Sequence, residues 1–350
     1  MSSEARSSGV WSSGVPSSES RSVASASVAS ASVASASFAF TSRLPLSRYL
    51  VDRDHESRAL PDLISILWTD AATRVVPLWK GKALVRAGAA DQLELAFLSA
   101  SAHPAPTQAT IALYLGRSLD PHAREPVGTP LLAVEFSDEQ AVAVESDSSR
   151  WQSLRDLAVV LGDRDTGVFA EALGLRNWHH SHRFCPRCGA ATTIESAGWV
   201  RRCTACGSQV FPRTDPAVIM LITDAADRLL LGSNALWENN RYSLLAGFVE
   251  PGESLEAAVI RESFEESGLR VTDATYLGSQ PWPFPASIMC GFTARVDARQ
   301  DPSEVAPDGA EILDLRWFTR PELRTAAASW LMLPGPSSIA HAMIERWLAQ

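Results

Sequence analysis

Residues 247–269 read GFVEPGESLEAAVIRESFEESGL, a glycine-bearing loop followed by a stretch that reads as one helix. From Ser254 onward, SLEAAVIRESFEES holds helix-favouring residues with no Gly or Pro, and Gly268 stands where a C′ residue ends a helix. At about 3.6 residues per turn, Glu262, Glu265 and Glu266 fall at i, i+3 and i+4 and project from one face. Like charges at that spacing repel by about 0.2–0.5 kcal/mol per pair even on a solvated helix, so the arrangement favours a compensating cation. Oxygen-only ligands select a hard ion, Mg²⁺ or Mn²⁺, over zinc. The opposite flank offers Leu255, Ala258 and Val259 for burial, while Gly247 and Gly252 permit a tight loop that approaches phosphate closely. A plain solvated acidic face is the alternative, and the preceding GFVEPGE weighs against it.

The spacing G-x5-E-x7-R-E-x2-E-E-x-G-hydrophobic resembles the Nudix box, with Gly247, Glu253, Arg261, Glu262, Glu265, Glu266, Gly268 and Leu269 at its defining positions. The resemblance implies hydrolysis of a nucleoside diphosphate linked to another moiety, with divalent metal on Glu262, Glu265 and Glu266. It makes Glu266 the first candidate for also activating water, and Arg261 with Glu253 an ion pair that orients the cluster. Metal would neutralise charge on the pyrophosphate and lower the pKa of a bound water. One position departs: Ser263 stands where the family has an aliphatic residue, which predicts a small packing loss and no lost ligand.

Four of the five cysteines fall as Cys185-x2-Cys188 and Cys203-x2-Cys206, separated by fourteen residues. With Gly189 and Gly207 directly after each pair, this is zinc-ribbon spacing, in which four thiolates close a tetrahedral Zn²⁺ site with no vacancy for water, hence structural. Disulfides or a redox CxxC are the alternatives, and nothing else in the chain looks secreted. Cys290, within SIMCGFTARV, reads as strand core against a reactive thiol.

SQPWPFPASIM (279–289) alternates Pro281, Pro283 and Pro285 with Trp282 and Phe284, which predicts an extended, stiff, aromatic-bearing loop. Alone it reads as a rigid connector or an interface wedge. After a Nudix box and a zinc ribbon it resembles the SQPWPFPxS motif of NADH pyrophosphatases, a family that also contains enzymes removing NAD caps from RNA; the resemblance covers about residues 43–350. It implies hydrolysis of NADH, or NAD⁺, to AMP and the nicotinamide mononucleotide, by a cytoplasmic homodimer. It implies substrate contacts from Gln280, Pro281, Trp282, Pro283, Phe284, Pro285, Ala286 and Ser287, and from Arg155 of the N-terminal domain. It further implies metal contacts from Glu311 and the Ala246 carbonyl, a nucleotide contact at Ala340, and base stacking on Phe211, which replaces a tyrosine and so loses a phenolic hydrogen bond. An ADP-ribose pyrophosphatase, or a zinc-ribbon regulator using a Nudix domain as ligand sensor, are the rival readings.

The 350 residues suggest two or three domains, and 46% hydrophobic residues suit a soluble globular protein. Net charge −9 and a pI near 5.3 argue against a dedicated nucleic-acid binder. Arg176, Arg183, Arg187, Arg201, Arg202 and Arg213 nevertheless gather around the ribbon, as solvated charges or as a guide for a phosphate chain. His179, His180 and His182 read as surface or interdomain packing before a metal cluster. Residues 1–42, with VASAS three times between Val23 and Ser37, read as disordered, or as a transit-like segment or an overlong start. Residues 43–180 read as an α+β domain, 181–212 as the ribbon, and 213–350 as a Nudix α/β/α sandwich around a mixed sheet. No run of about 18 apolar residues predicts a membrane span.

Overall fold

The computed structural model describes residues 39–88, 92–107, 110–238 and 240–350; the Ser/Ala-rich run up to residue 38 lies outside the described residues. The expected disordered segment ends at 42, yet its last residues are packed. Residues 39–41 form a helical turn, and Phe40 and Leu44 are buried against Leu221, Tyr242 and Met343 of the C-terminal core. From there the chain runs as a strap along the edge of the C-terminal sheet, where the Ser47 hydroxyl donates to the Ser279 carbonyl at 2.8 Å.

The alternating apolar runs and turns of the N-terminal half become β1 (Val51–Asp52), β2 (Arg74–Trp79), β3 (Lys82–Ala87), β4 (Leu93–Leu95), β5 (Leu98–Ser99), β6 (Ala112–Ser118), β7 (Pro130–Glu135) and β8 (Trp151–Gln152). Their order is β1-β6-β7-β2-β3-β4, with β5 on β2 and β8 on β3. The apolar run LELAFLS (93–99) divides because its first half pairs with β3 and its second with β2. The helices are α1 (Leu63–Thr69), α2 (Asp138–Val144), α3 (Leu154–Leu157) and α4 (Asp163–Ser181). WQSLRDLAVVL (151–161) is helical over α3 only: its first two residues are β8, and the Ser153 hydroxyl then caps the turn on the Asp156 amide.

The ribbon follows as β9 (Thr192–Glu195), β10 (Val200–Cys203) and β11 (Gln209–Val210), in order β11-β10-β9. The C-terminal half supplies β12 (Asp215–Thr223), β13 (Leu229–Asn234), β14 (Leu245–Phe248), β15 (Val271–Trp282), β16 (Ser287–Val296) and β17 (Ile312–Phe318). With them run α5 (Leu255–Ser267), α6 (Arg320–Ala327) and α7 (Ile339–Leu348). The sheet order is β15-β16-β12-β13-β17, with β14 on β12. Side chains alternate along the central strand β12: Val218, Met220 and Ile222 join Ala258 and Val259 of α5, while Ile219 and Leu221 join Met343 and Trp347 of α7. Both faces are therefore buried, a mixed sheet between helices.

The two large sheets share one wiring. A central strand (β2 or β12) runs parallel to one neighbour (β7 or β16) and antiparallel to its hairpin partner (β3 or β13). A late strand (β8 or β17) flanks that partner, and a short strand (β5 or β14) sits on the central one. They differ in the link from the short strand to β6 or β15: it carries α5 in the C-terminal half and only a 3₁₀ turn, Ala100–Ala102, in the N-terminal half. Among the described residues no helix is long and apolar enough to cross a membrane.

Candidate active site and metal centres

Helix α5 starts where the Ser254 hydroxyl accepts from the Ala257 amide at 3.1 Å and ends at Gly268, whose φ of 69° is left-handed. Its carboxylates do not share one environment. Glu266 is buried and Glu262 nearly so, whereas the Glu265 side chain is half exposed. Arg261 holds the group together. Its guanidinium reaches Glu253 at 2.9 Å through two nitrogens, Glu262 and Glu265 at 2.9 Å each, and the Phe248 carbonyl at 2.9 Å. These bonds hold its pKa well above the usual arginine range. Glu253 also accepts the Glu250 amide at 3.0 Å, closing the loop onto the helix.

Gly247 lets this happen. A Cβ there would lie 1.9–2.3 Å from the Glu262 carboxylate, so only hydrogen allows β14 and α5 to approach this closely. Burial raises the Glu262 pKa and pushes Glu266 up to about 8, with Glu262, Glu311 and Asp308 adding repulsion. The Ala246 amide donates to Glu266. The N–H and C=O of one residue leave an antiparallel strand on the same edge, so the Ala246 carbonyl faces the carboxylates too. Glu311 is exposed and accepts from the Asn234 amide at 3.2 Å. Oε2 of Glu266 is buried without a hydrogen-bond partner. A buried, unpaired carboxylate oxygen facing further carboxylates is costly by itself and fits a hard divalent cation.

Ser263 is fully buried, but its hydroxyl donates to the Val259 carbonyl one turn back at 2.6 Å. The departure from an aliphatic residue therefore leaves no polar group unpaired.

The proline-rich segment is the tip of the β15–β16 hairpin, with Pro281 and Trp282 still in β15 and paired to Ile288 and Ser287. The expected extended loop thus includes a turn at 283–286. Trp282 and Phe284 meet edge to face at 4.9 Å, and the Arg155 guanidinium lies 4.7 Å from the first ring and 4.0 Å from the second. Burial, with Arg241 nearby, lowers the pKa of Arg155. The Asn177 amide of α4 donates to the carbonyls of Pro283 at 3.0 Å and Pro285 at 3.1 Å. The N-terminal half therefore grips the hairpin.

Gln280 does not reach outward. It is fully buried, accepts the Leu46 amide at 3.2 Å and donates to the Ser337 carbonyl at 3.0 Å, so its side chain ties strap, hairpin and the approach to α7 together and is not free for a ligand. Ala340 lies in the first turn of α7 with its side chain in the core and its carbonyl within the helical ladder. Ala286 closes the hairpin turn and Ser287 opens β16, and Phe211 is exposed beside Pro212. Sequence reasoning passed over Phe248: its ring is 59% exposed directly after Gly247, a flat apolar face at the edge of the carboxylate cluster. Its signal is an aromatic residue inside the box at the end of a short strand.

In the ribbon, the four Sγ atoms of Cys185, Cys188, Cys203 and Cys206 lie within 4.8 Å of one another. Gly189 and Gly207, at φ 75° and 70°, turn the two knuckles. All the cysteines are free thiols, and the converging set has the composition of a structural zinc site. The histidines take no part. His179 is buried and accepts from Arg201 at 2.9 Å through Nδ1, leaving Nε2 to donate to the Gly198 carbonyl at 2.8 Å; burial and Arg201 push its pKa down to about 4. It packs α4 against the ribbon. Of the six ribbon arginines, Arg176, Arg202 and Arg213 are paired with Glu135, Glu195 and Asp215.

Three domain families match along the chain: NADH pyrophosphatase-like rudimentary NUDIX domain over residues 72–178, NADH pyrophosphatase zinc ribbon domain over 180–211, and NUDIX domain over 213–334. The chain is 39% identical over 316 residues to the NAD-capped RNA hydrolase NudC of Mycobacterium bovis, covering 85% of this chain and 97% of that one. It is 38% identical over 201 residues to the NAD-capped RNA hydrolase NUDT12 of Homo sapiens, covering 54% of this chain and 43% of that protein. A NUDIX hydrolase from Nitrosomonas europaea is similar in structure at a TM-score of 0.40 and 22% identity, covering 48% of this chain and 90% of that one.

Proposed function

The chain belongs to the NADH pyrophosphatase family of Nudix hydrolases, and from that premise we propose that it hydrolyses the pyrophosphate bridge of NADH or NAD⁺, free or as the 5′ cap of an RNA. The products are AMP and the reduced or oxidised nicotinamide mononucleotide, or, from capped RNA, the mononucleotide and a 5′-phosphorylated RNA. The carrying observation is the buried, unpartnered Glu266 oxygen facing Glu262 and Glu311. NAD-capped RNA as a substrate is supported by the names of the two relatives.

Glu262, Glu266, Glu311 and the Ala246 carbonyl would hold Mg²⁺ or Mn²⁺, and Glu265 keeps one oxygen on Arg261 while offering the other. When bound, the cation neutralises charge on the pyrophosphate and acidifies a water. Glu266 takes the proton as the water oxygen bonds to one phosphorus and the bridging P–O bond breaks, the bridging oxygen leaving with the other phosphate. Arg261 and Glu253 keep the carboxylates aligned. Trp282, Phe284 and Arg155 bind the dinucleotide beyond the phosphates, with Phe248 and Phe211 offering rings for stacking. Free thiols in a ribbon suit the reducing cytoplasm, where we place the enzyme as a homodimer.

The test is a substrate panel of NADH, NAD⁺, ADP-ribose and NAD-capped RNA with Mg²⁺ or Mn²⁺ and product identification. Release of nicotinamide mononucleotide that disappears in Glu266→Gln supports the reading. Turnover of ADP-ribose alone, or an undiminished rate in that variant, rejects it.

A further inference from the structure

A cavity of 1440 Å³ separates the ribbon from the N-terminal domain, bordered by Arg58, Glu135, His180, Arg183, Phe184 and Arg201 among others. No carboxylate of α5 and no residue of the β15–β16 hairpin borders it. Its charges are unequally matched. Glu135 is engaged by Arg176 at 2.6 Å and His180 at 2.7 Å, and Glu195 by Arg202 at 2.7 Å, leaving exposed Asp62 as the remaining acid on the wall.

Arg201 and Arg183 have no such partners. Arg201 is only 7% exposed, and its three bonds go to neutral acceptors: the Thr192 hydroxyl at 2.6 Å, the Thr192 carbonyl at 2.9 Å and His179 at 2.9 Å. The charged group that acts on it is Arg183, of like sign. Arg183 itself donates to Nδ1 of His180 at 3.0 Å, and among the described residues no carboxylate pairs with either arginine. Arg58 stacks on Trp199 at 3.5 Å, donates to the Arg53 carbonyl at 2.8 Å with Glu171 as its strongest acidic influence, and keeps a buried Nε–H with no partner. The Arg201 guanidinium, withdrawn from water without a counter-charge, is costly there, and the donor forks of the three arginines match phosphate oxygens. Beside this cluster the ring of Phe184 is 66% exposed, a stacking surface without a partner ring.

We propose that this cavity is a second binding site for a nucleoside phosphate, with Arg58, Arg183 and Arg201 on the phosphate and Phe184 on the base. The volume exceeds the roughly 300–1,000 Å³ of ordinary small-ligand sites, enough for a mononucleotide or the first nucleotides of an RNA. Arg183 and Phe184 directly precede Cys185, so zinc held by that knuckle would fix one wall in place.

The experiment uses the full-length, zinc-loaded protein without Mg²⁺ or Mn²⁺, conditions in which the α5 carboxylates repel phosphate. AMP and a 5′-phosphorylated single-stranded RNA tetranucleotide are titrated by calorimetry into the parent and into Arg183→Glu and Phe184→Ala, both exposed side chains. The Kd of at least one ligand is expected to rise about tenfold in each variant, while kcat/KM for NADH with Mg²⁺ stays unchanged. Preference for AMP assigns a free nucleotide, and preference for the tetranucleotide assigns an RNA leader. Absence of binding to the parent, binding indifferent to both variants, or inorganic phosphate displacing AMP with equal affinity would overturn the proposal.

Discussion

Gly247→Ala isolates the geometry of the carboxylate cluster from its chemistry. In β14 Gly247 pairs with Val218, and its φ is not left-handed, so the backbone accepts alanine. The new Cβ would nevertheless sit 1.9 Å from the Glu262 carboxyl carbon and 2.0 and 2.3 Å from its oxygens, where real contacts stay beyond 3.0 Å. Glu262 must therefore retreat by about 1 Å, a displacement that costs about 100-fold in rate when it misplaces a reacting group. Folding is spared: replacing glycine in a compatible conformation lowers unfolded-chain entropy by about 0.4–1 kcal/mol, which offsets local crowding. Steady-state NADH hydrolysis across a Mg²⁺ titration, beside thermal melts, is the assay. Expected are a kcat near one-hundredth of the parent's, a weakened Mg²⁺ dependence and an intact melt. A variant with parental kcat and Mg²⁺ half-saturation would show that the close approach of β14 to Glu262 is irrelevant to catalysis.

Other perturbations reach the same framework. Glu266 titrates near 8 when folded and without metal, against 4.5 for an ordinary glutamate. Between those values the folded chain keeps a proton that the unfolded chain has released, so metal-free stability falls as pH rises from about 4.5 to about 8. Glu266→Gln should flatten that fall in denaturant titrations. Glu171, pushed up to about 7 by burial, tilts both proteins alike, and identical slopes in the two would refute the assignment. Gln280→Ala leaves the Leu46 amide and the Ser337 carbonyl unpaired and should destabilise by about 1–3 kcal/mol for each group, raising KM for NADH as the hairpin loosens. An unaffected urea midpoint would contradict this. Ser263→Ala removes only a back-bond within α5 and should change stability by less than about 1 kcal/mol; a larger loss would indicate that the hydroxyl has another role.

The box helix was legible because its cap, its carboxylate spacing and Gly268 are all local, and local spacing translates directly into helix faces. The separation of Glu265 from Glu262 and Glu266 was not, since it depends on how Arg261 reaches across the helix and on which face β14 covers. Arg155 could be matched only by resemblance, yet it does meet Trp282 and Phe284. Gln280 looked like a ligand contact because its motif is substrate-associated; its real partners lie 234 and 57 residues away, a distance no pattern encodes. The shared wiring of the two halves was hidden for a related reason. Strand pairing carries no sequence signature once the helix that would announce it has shrunk to the turn at Ala100–Ala102.

That shrunken copy changes how the chain can evolve. Lacking the counterpart of the carboxylate-bearing helix α5, the N-terminal half supplies Arg155 and Asn177, two side chains that grip the hairpin of its sister half. Selection can then retune which substrate the proposed site admits through substitutions in one half, while the half that carries the carboxylate cluster stays fixed. Inherited variation in 43–180 should therefore surface as altered substrate choice sooner than as lost turnover.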